Sequence, residues 1–183
     1  VFEDYLETES EASARLTGIS GEVNITDKLG VAGSFLFGKS EDFKNTKDHG
    51  ELSSINLAIQ YEVIPMVKAR GGFLIGSYTS PEEKYDMTGI TIGAAVDAEV
   101  GDGIGIFGEA TYAPLVNAKL DEADLECKDS SMMAFEAGGT YSFGEIAVKG
   151  GYRYRGFEFK NEKNKYEESA TFSGFFVGVG FSF

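Results

Sequence analysis

The chain has 183 residues, enough for one domain spanning residues 1–183, and 30 acidic against 16 basic residues give it a net charge of −14. That charge argues against nucleic acid and against an anionic lipid surface as partners. The 24 glycines and only three prolines suit closely packed strands better than helices, and no run of 18 apolar residues predicts a transmembrane helix.

Apolar residues alternate with other residues in nine segments, which is the period of a β-strand with one apolar face. The predicted strands, in chain order, are residues 14–26, 29–37, 55–63, 67–75, 90–98, 104–112, 133–143, 146–154 and 175–183.

Short and long connections alternate between these strands. The short turns lie at residues 27–28, 64–65, 101–103 and 144–145, and the long polar stretches lie at 39–51, 79–87, 117–131 and 160–168. This alternation predicts an antiparallel meander with tight turns at one end and long loops at the other.

The second face of the predicted strands is more highly charged than the core of a soluble sandwich could tolerate. Its charged residues are Glu22, Glu62, Lys68, Arg70, Asp97, Glu99, Glu109, Glu136, Lys149, Arg153 and Arg155. Counting outward from a loop centred near residue 83 predicts that Arg70 faces Asp97 and that Lys68 faces Glu99. Counting from the turn at Gly144 predicts that Glu136 faces Arg153, close enough for an ion pair.

The last strand ends in Gly178-Val179-Gly180-Phe181-Ser182-Phe183. Gly178, Phe181 and the terminal Phe183 resemble the C-terminal assembly signal of bacterial outer-membrane β-barrels, and the whole chain resembles small barrels of the OmpA, OmpX and OmpW type. This resemblance implies a bacterial outer-membrane location with extracellular long loops and periplasmic termini. It also implies recognition of the last strand by the barrel-assembly machinery.

The expected fold is therefore all-β, a closed antiparallel up-and-down transmembrane β-barrel. Bacterial barrels have an even number of strands, so a tenth strand is expected within Val1 to Glu9, with a turn near Ser10. Ten strands are preferred, and eight are the alternative.

Three functions remain open. The six acids and five bases of the inner face predict a lumen plugged by salt bridges, in a barrel that serves envelope integrity or surface interaction through acidic extracellular loops. The same charges could instead line a narrow porin-like channel for ions or small solutes. The third function is a lipid-modifying outer-membrane enzyme, which only the single histidine, His49, supports. The first two interpretations predict no enzymatic activity and no catalytic residue.

Other sequence features predict little chemistry. Residues 103–108 match a GxGxxG string but lie within a predicted strand, so no dinucleotide cofactor is expected. The single cysteine, Cys127, is predicted to be a free loop thiol, and no metal site is expected. The acidic loops could bind lipopolysaccharide through bridging divalent cations. The oligomeric state is left open.

Overall fold

The computed structural model describes residues 8–11, 13–41, 50–79, 84–120, 125–144, 146–161 and 166–181. The ten strands are β1 (Thr8–Glu11), β2 (Ser13–Asn24), β3 (Leu29–Glu41), β4 (Glu51–Ile64), β5 (Val67–Thr79), β6 (Lys84–Gly101), β7 (Ile104–Leu120), β8 (Leu125–Phe143), β9 (Ile146–Asn161) and β10 (Tyr166–Phe181). No helix long and apolar enough to cross a bilayer occurs in this part of the chain.

The strands form a single sheet in which each strand from β2 to β10 pairs antiparallel with the next. The sheet curls until β10 contacts β2. The prediction of an all-β, up-and-down antiparallel barrel is confirmed.

The first strand differs from its predicted form. Ser10 lies inside β1 and is not a turn, and β1 pairs parallel to β10 just one residue before β2 begins. Because β1 and β2 run in the same direction, they count as one passage along the barrel wall. The chain therefore passes along the wall nine times, and each passage is antiparallel to the one before it. Thr8 therefore lies at the loop end and Phe181 at the turn end, whereas both termini were predicted on one side. Residues 1–7 lie outside the described part of the chain.

The turn end is built from tight connections whose backbone conformations match their residues. Gly101, Gly103 and Gly144 have positive φ, which glycine adopts without steric cost. Between β4 and β5, Met66 has φ of +74°, in the position after Pro65 where a turn of this kind usually has glycine. Between β2 and β3, the Thr26 hydroxyl accepts the backbone N–H of Leu29 at 3.0 Å.

The outer face carries the predicted apolar band. Ile55, Leu57, Ile59, Tyr61 and Val63 alternate along β4 with exposed fractions of 41–61%. These five residues extend about 27 Å along the strand, or about 21 Å along the barrel axis at a tilt of about 40°. That height matches the apolar band of about 25 Å in outer-membrane barrels.

Above this band the strands continue toward the loop end with polar outward residues. The stretches predicted as loops at 79–87 and 117–131 are wrong in extent, because β6 begins at Lys84 and β7 and β8 are separated only by residues 121–124. The reason is that Tyr85 and Met87 point inward and are at most 1% exposed. Burial of these two side chains favours the extended strand over a loop.

Candidate functional site

At the loop end the lumen is filled by apolar side chains. They come from β4 to β10 and are 0–3% exposed: Leu52, Leu74, Tyr78, Tyr85, Met87, Ala113, Val116, Ala118, Met132, Phe157, Phe159, Ala170 and Phe172. We call this group the apolar cluster. At this level the described side chains that are buried inside the barrel are apolar rather than charged.

Four aromatic rings form the centre of the apolar cluster. The rings of Tyr85 and Phe159 stack with centroids 4.6 Å apart, although β6 and β9 are not neighbours in the sheet. Tyr78 stacks on Phe159 at 6.0 Å and meets Phe172 edge-on at 5.9 Å. These contacts bring side chains from β5, β6, β9 and β10 together inside the barrel.

The sequence interpretation did not identify the apolar cluster, although β9 contains a readable signal. The outward aromatics Tyr152 and Tyr154 occupy even positions, whereas the inward aromatics Phe157 and Phe159 occupy odd ones. Along β9 the aromatic residues therefore move from the outward face to the inward face. This change indicates that the strand has left the membrane and contributes to a core inside the barrel.

Nearer the turn end, charged side chains occupy the lumen in two groups. In the first group, Glu22 of β2 pairs with Lys68 and lies 3.3 Å from Arg70 Nη2. Arg70 Nη1 is also 2.5 Å from Glu109 of β7, and Lys68 Nζ is 3.6 Å from Asp97 of β6. One carboxylate from β2 and one from β7 thus hold Arg70 across the lumen.

The predicted register of β5 with β6 is wrong. Arg70 pairs with Gly93 and Lys68 with Ala95, not with Asp97 and Glu99. The hairpin closes between Thr79 and Lys84, which shifts the partners by four residues. The ion pair between Lys68 and Asp97 forms diagonally instead.

In the second group, Glu136 binds two bases of β9. Arg153 is its cross-strand partner, as the count from Gly144 predicts, with Nε donating to Oε2 at 2.6 Å. Lys149 Nζ lies 2.7 Å from Oε1. Phe107 and Phe176 pack on these cations, with Lys149 Nζ 3.8 Å from the Phe107 ring centre and Arg153 Cζ 4.6 Å from that of Phe176. Such contacts extend the group from β7 to β10.

Arg155 separates the charged groups from the apolar cluster. Its side chain crosses the lumen, where Nη1 donates to the Ser54 hydroxyl of β4 at 2.5 Å. The residue is 7% exposed, and its Nε has no hydrogen-bond partner among the described residues. Arg155 therefore connects opposite walls of the barrel without an ion pair to any described carboxylate.

The remaining predicted site residues are less connected. No ion pair joins Glu62 or Glu99 to another described residue. Gly178 and Phe181 lie in β10, but the surroundings of these two residues, like Phe183 and His49, fall outside what the structure describes. Cys127 lies in β8 opposite Ala118 rather than in a loop. No group of three or more potential metal ligands occurs among the described side chains.

An apolar outer band around a filled, charged lumen defines an integral β-barrel of the bacterial outer membrane. The sequence model of the YfaZ family, described as "YfaZ precursor", matches residues 22–183. The chain therefore belongs to the YfaZ family. It is similar to "Outer membrane protein YfaZ" of Escherichia coli (strain K12), with 24% identity over 148 residues that cover 79% of this chain and 73% of that protein.

Among solved structures, the chain is similar to OmpT of Vibrio cholerae in two forms. The in-vitro folded, trimeric form matches with a TM-score of 0.43 over 92% of this chain, and the outer-membrane expressed form with 0.44 over 93%. Identity is 13% in both, and the match spans 56% of each OmpT chain.

Proposed function

We propose that this protein is a sealed, non-enzymatic barrel whose lumen is plugged in two layers. The observation that supports this proposal most directly is the apolar cluster, whose members are at most 3% exposed. Water and ions crossing the barrel would have to displace stacked aromatic rings from several strands. The charged groups below add a second, partly hydrated layer that braces the wall.

In this proposal the rigid barrel serves envelope integrity or surface interaction through its loops. The loop end is extracellular, and the turn end, where β10 finishes, is periplasmic. The strands rise beyond the apolar band at the loop end, which supports this orientation because outer-membrane barrels have their longer connections outside. The side on which residues 1–7 lie stays a prediction.

Two partners belong to the same proposal. Lipopolysaccharide would meet the acidic loops through divalent cations, and the barrel-assembly machinery would recognise the last strand. Calorimetry with calcium on the refolded protein in lipopolysaccharide-containing bilayers, compared with the same bilayers without protein, tests the first partner. No additional calcium binding from the protein at millimolar concentration would exclude it.

A narrow channel is the second candidate, favoured by the hydration of the lower lumen. There the Asp97, Glu109 and Lys149 side chains keep exposed fractions of 53%, 33% and 33%. A channel would have these charges set ion preference and would require a path past the apolar cluster.

Single-channel conductance in a planar bilayer separates the two candidates. The sealed barrel predicts a silent wild type, and conductance that begins in the double variant Tyr85→Ala/Phe159→Ala. Phe135→Ala, which shortens an outward aromatic side chain, is the matched control and should stay silent. Discrete, ion-selective steps in the wild type that change in Glu136→Ala would establish the channel instead.

A further inference from the structure

Beyond Thr171, the described part of β10 has a paired strand on one side only. On β10, Phe175 and Val177 are 90% and 81% exposed, whereas no other outward large apolar side chain of the described residues exceeds 68%. This excess marks a strand with no neighbour on one side. Unpaired backbone N–H and C=O groups are strongly unfavourable in hydrocarbon, so an edge there needs a partner.

The short strand β1 already supplies a partner for the upper part of β10. It pairs in parallel from Thr8 with Glu168 to Glu11 with Thr171. Since one residue separates β1 from β2, the same register continued would place Thr17 beside Val177. The offset of 160 residues is even, so residues that point outward on β10 meet outward residues on β2.

The stagger of the whole wall agrees with this register. A row of paired residues followed from Val23 of β2 around the barrel returns to the first crossing at Glu11. The row is Val23, Val31, Ile59, Gly71, Ile92, Tyr112, Met133, Gly156, Thr171 and Glu11.

Glu11, where the row ends, lies twelve residues before Val23, where it starts. One circuit of the barrel therefore shifts the row by twelve residues. For nine strands, that stagger gives a tilt of about 43°, from a rise of ~3.3 Å per residue and a strand spacing of ~4.8 Å. Transmembrane barrels have tilts of about 35–45°. A strand inserted between β10 and β1 would break this row.

We propose that the barrel closes by parallel pairing of β2 with β10, which continues the β1–β10 register. The barrel wall then has nine antiparallel strands, and it closes where β1 and β2 pair in parallel with β10. We call this pairing the seam; β1 forms its part at the loop end. This closure separates Glu22 and Arg153 from the lipid, and it leaves no lateral opening from the lumen into the bilayer. It does not depend on whether the lumen conducts.

Disulfide trapping in a Cys127→Ser background tests the seam. Thr17→Cys with Val177→Cys should cross-link within one chain, because paired strands bring Cα atoms within the 4.4–6.8 Å range of disulfides. Thr17→Cys with Ser173→Cys is the matched control, displaced by about 13 Å along the strand, and should not cross-link. Thr17→Cys with Phe37→Cys, partners in the β2–β3 ladder, verifies that the barrel is folded.

The seam is overturned if the Thr17/Phe37 pair forms a disulfide while the Thr17/Val177 pair stays reduced, or links two chains into a dimer. Backbone amide exchange of the wild type in micelles provides a check without substitutions. Amides of residues 173–181 as protected as those of 146–155 support the seam, and fast exchange confined to 173–181 overturns it.

Discussion

Removal of the Glu136 carboxylate should destabilise the barrel, because two bases on β9 would lose their partner. Arg153 Nε and Lys149 Nζ lie 2.6 and 2.7 Å from its two oxygens. Breaking a buried pair by removing one partner typically costs about 3–5 kcal/mol. Glu136 and Arg153 keep side-chain exposures of 15% each, and Lys149 keeps 33%, so the expected loss for Glu136→Ala is at the lower end, about 3 kcal/mol.

Glu99→Ala is the matched control, since Glu99 is an exposed acid of the same barrel end with no ion pair to a described residue. Its expected loss is below about 0.5 kcal/mol. Urea unfolding in micelles, followed by far-ultraviolet circular dichroism, measures both variants. Adding Arg153→Ala completes a double-mutant cycle, in which the Glu136–Arg153 coupling should be about 1–3 kcal/mol. Equal losses for Glu136→Ala and Glu99→Ala would refute the reasoning.

Three further changes test other parts of the structure by the same unfolding measurement. Phe159→Ala should cost about 3–5 kcal/mol, because the side chain is fully buried between stacked rings, and a loss below about 1 kcal/mol would contradict the packing. Met66→Gly should stabilise the barrel by about 1 kcal/mol, since φ of +74° strains any residue with a Cβ, and no gain would mean that the turn adopts another conformation. Arg155→Met should be neutral or stabilising, whereas Ser54→Ala should cost about 1–3 kcal/mol by removing the hydrogen-bond partner of a buried guanidinium. A larger loss of stability for Arg155→Met than for Ser54→Ala would show that the Arg155 side chain stabilises the fold.

The sequence predicts a cross-strand pair well where a tight turn fixes the register. The connection after β8 has Gly144 at φ of +66°, and its position determines that Glu136 faces Arg153. The connection between β5 and β6, Ser80-Pro81-Glu82-Glu83, contains no glycine. Its centre therefore could not be located from the sequence, and the predicted partners of Arg70 and Lys68 were displaced.

Contacts across the lumen were beyond prediction for a different reason. Alternation assigns a residue to a face, but it does not say which distant strand that face approaches. The hydrogen bond of Arg155 to Ser54 and the contact of Arg70 with Glu109 depend on how far the sheet curls. The sequence thus predicts the members of the charged lumen without predicting most of their partners.

The apolar cluster inside the barrel and the polar residues on the outer wall around it have one physical cause. Within the membrane band, apolar residues face lipid and charged residues face the lumen. Toward the loop end this order reverses, since Ser53 and Ser77 join hydroxyls at 2.9 Å on the outer face while Leu52 and Tyr78 beside them are buried inside. A wall that meets water outside gains stability only by burying its apolar face inside. The portion of the barrel beyond the apolar band therefore requires a packed interior, and the apolar cluster supplies it.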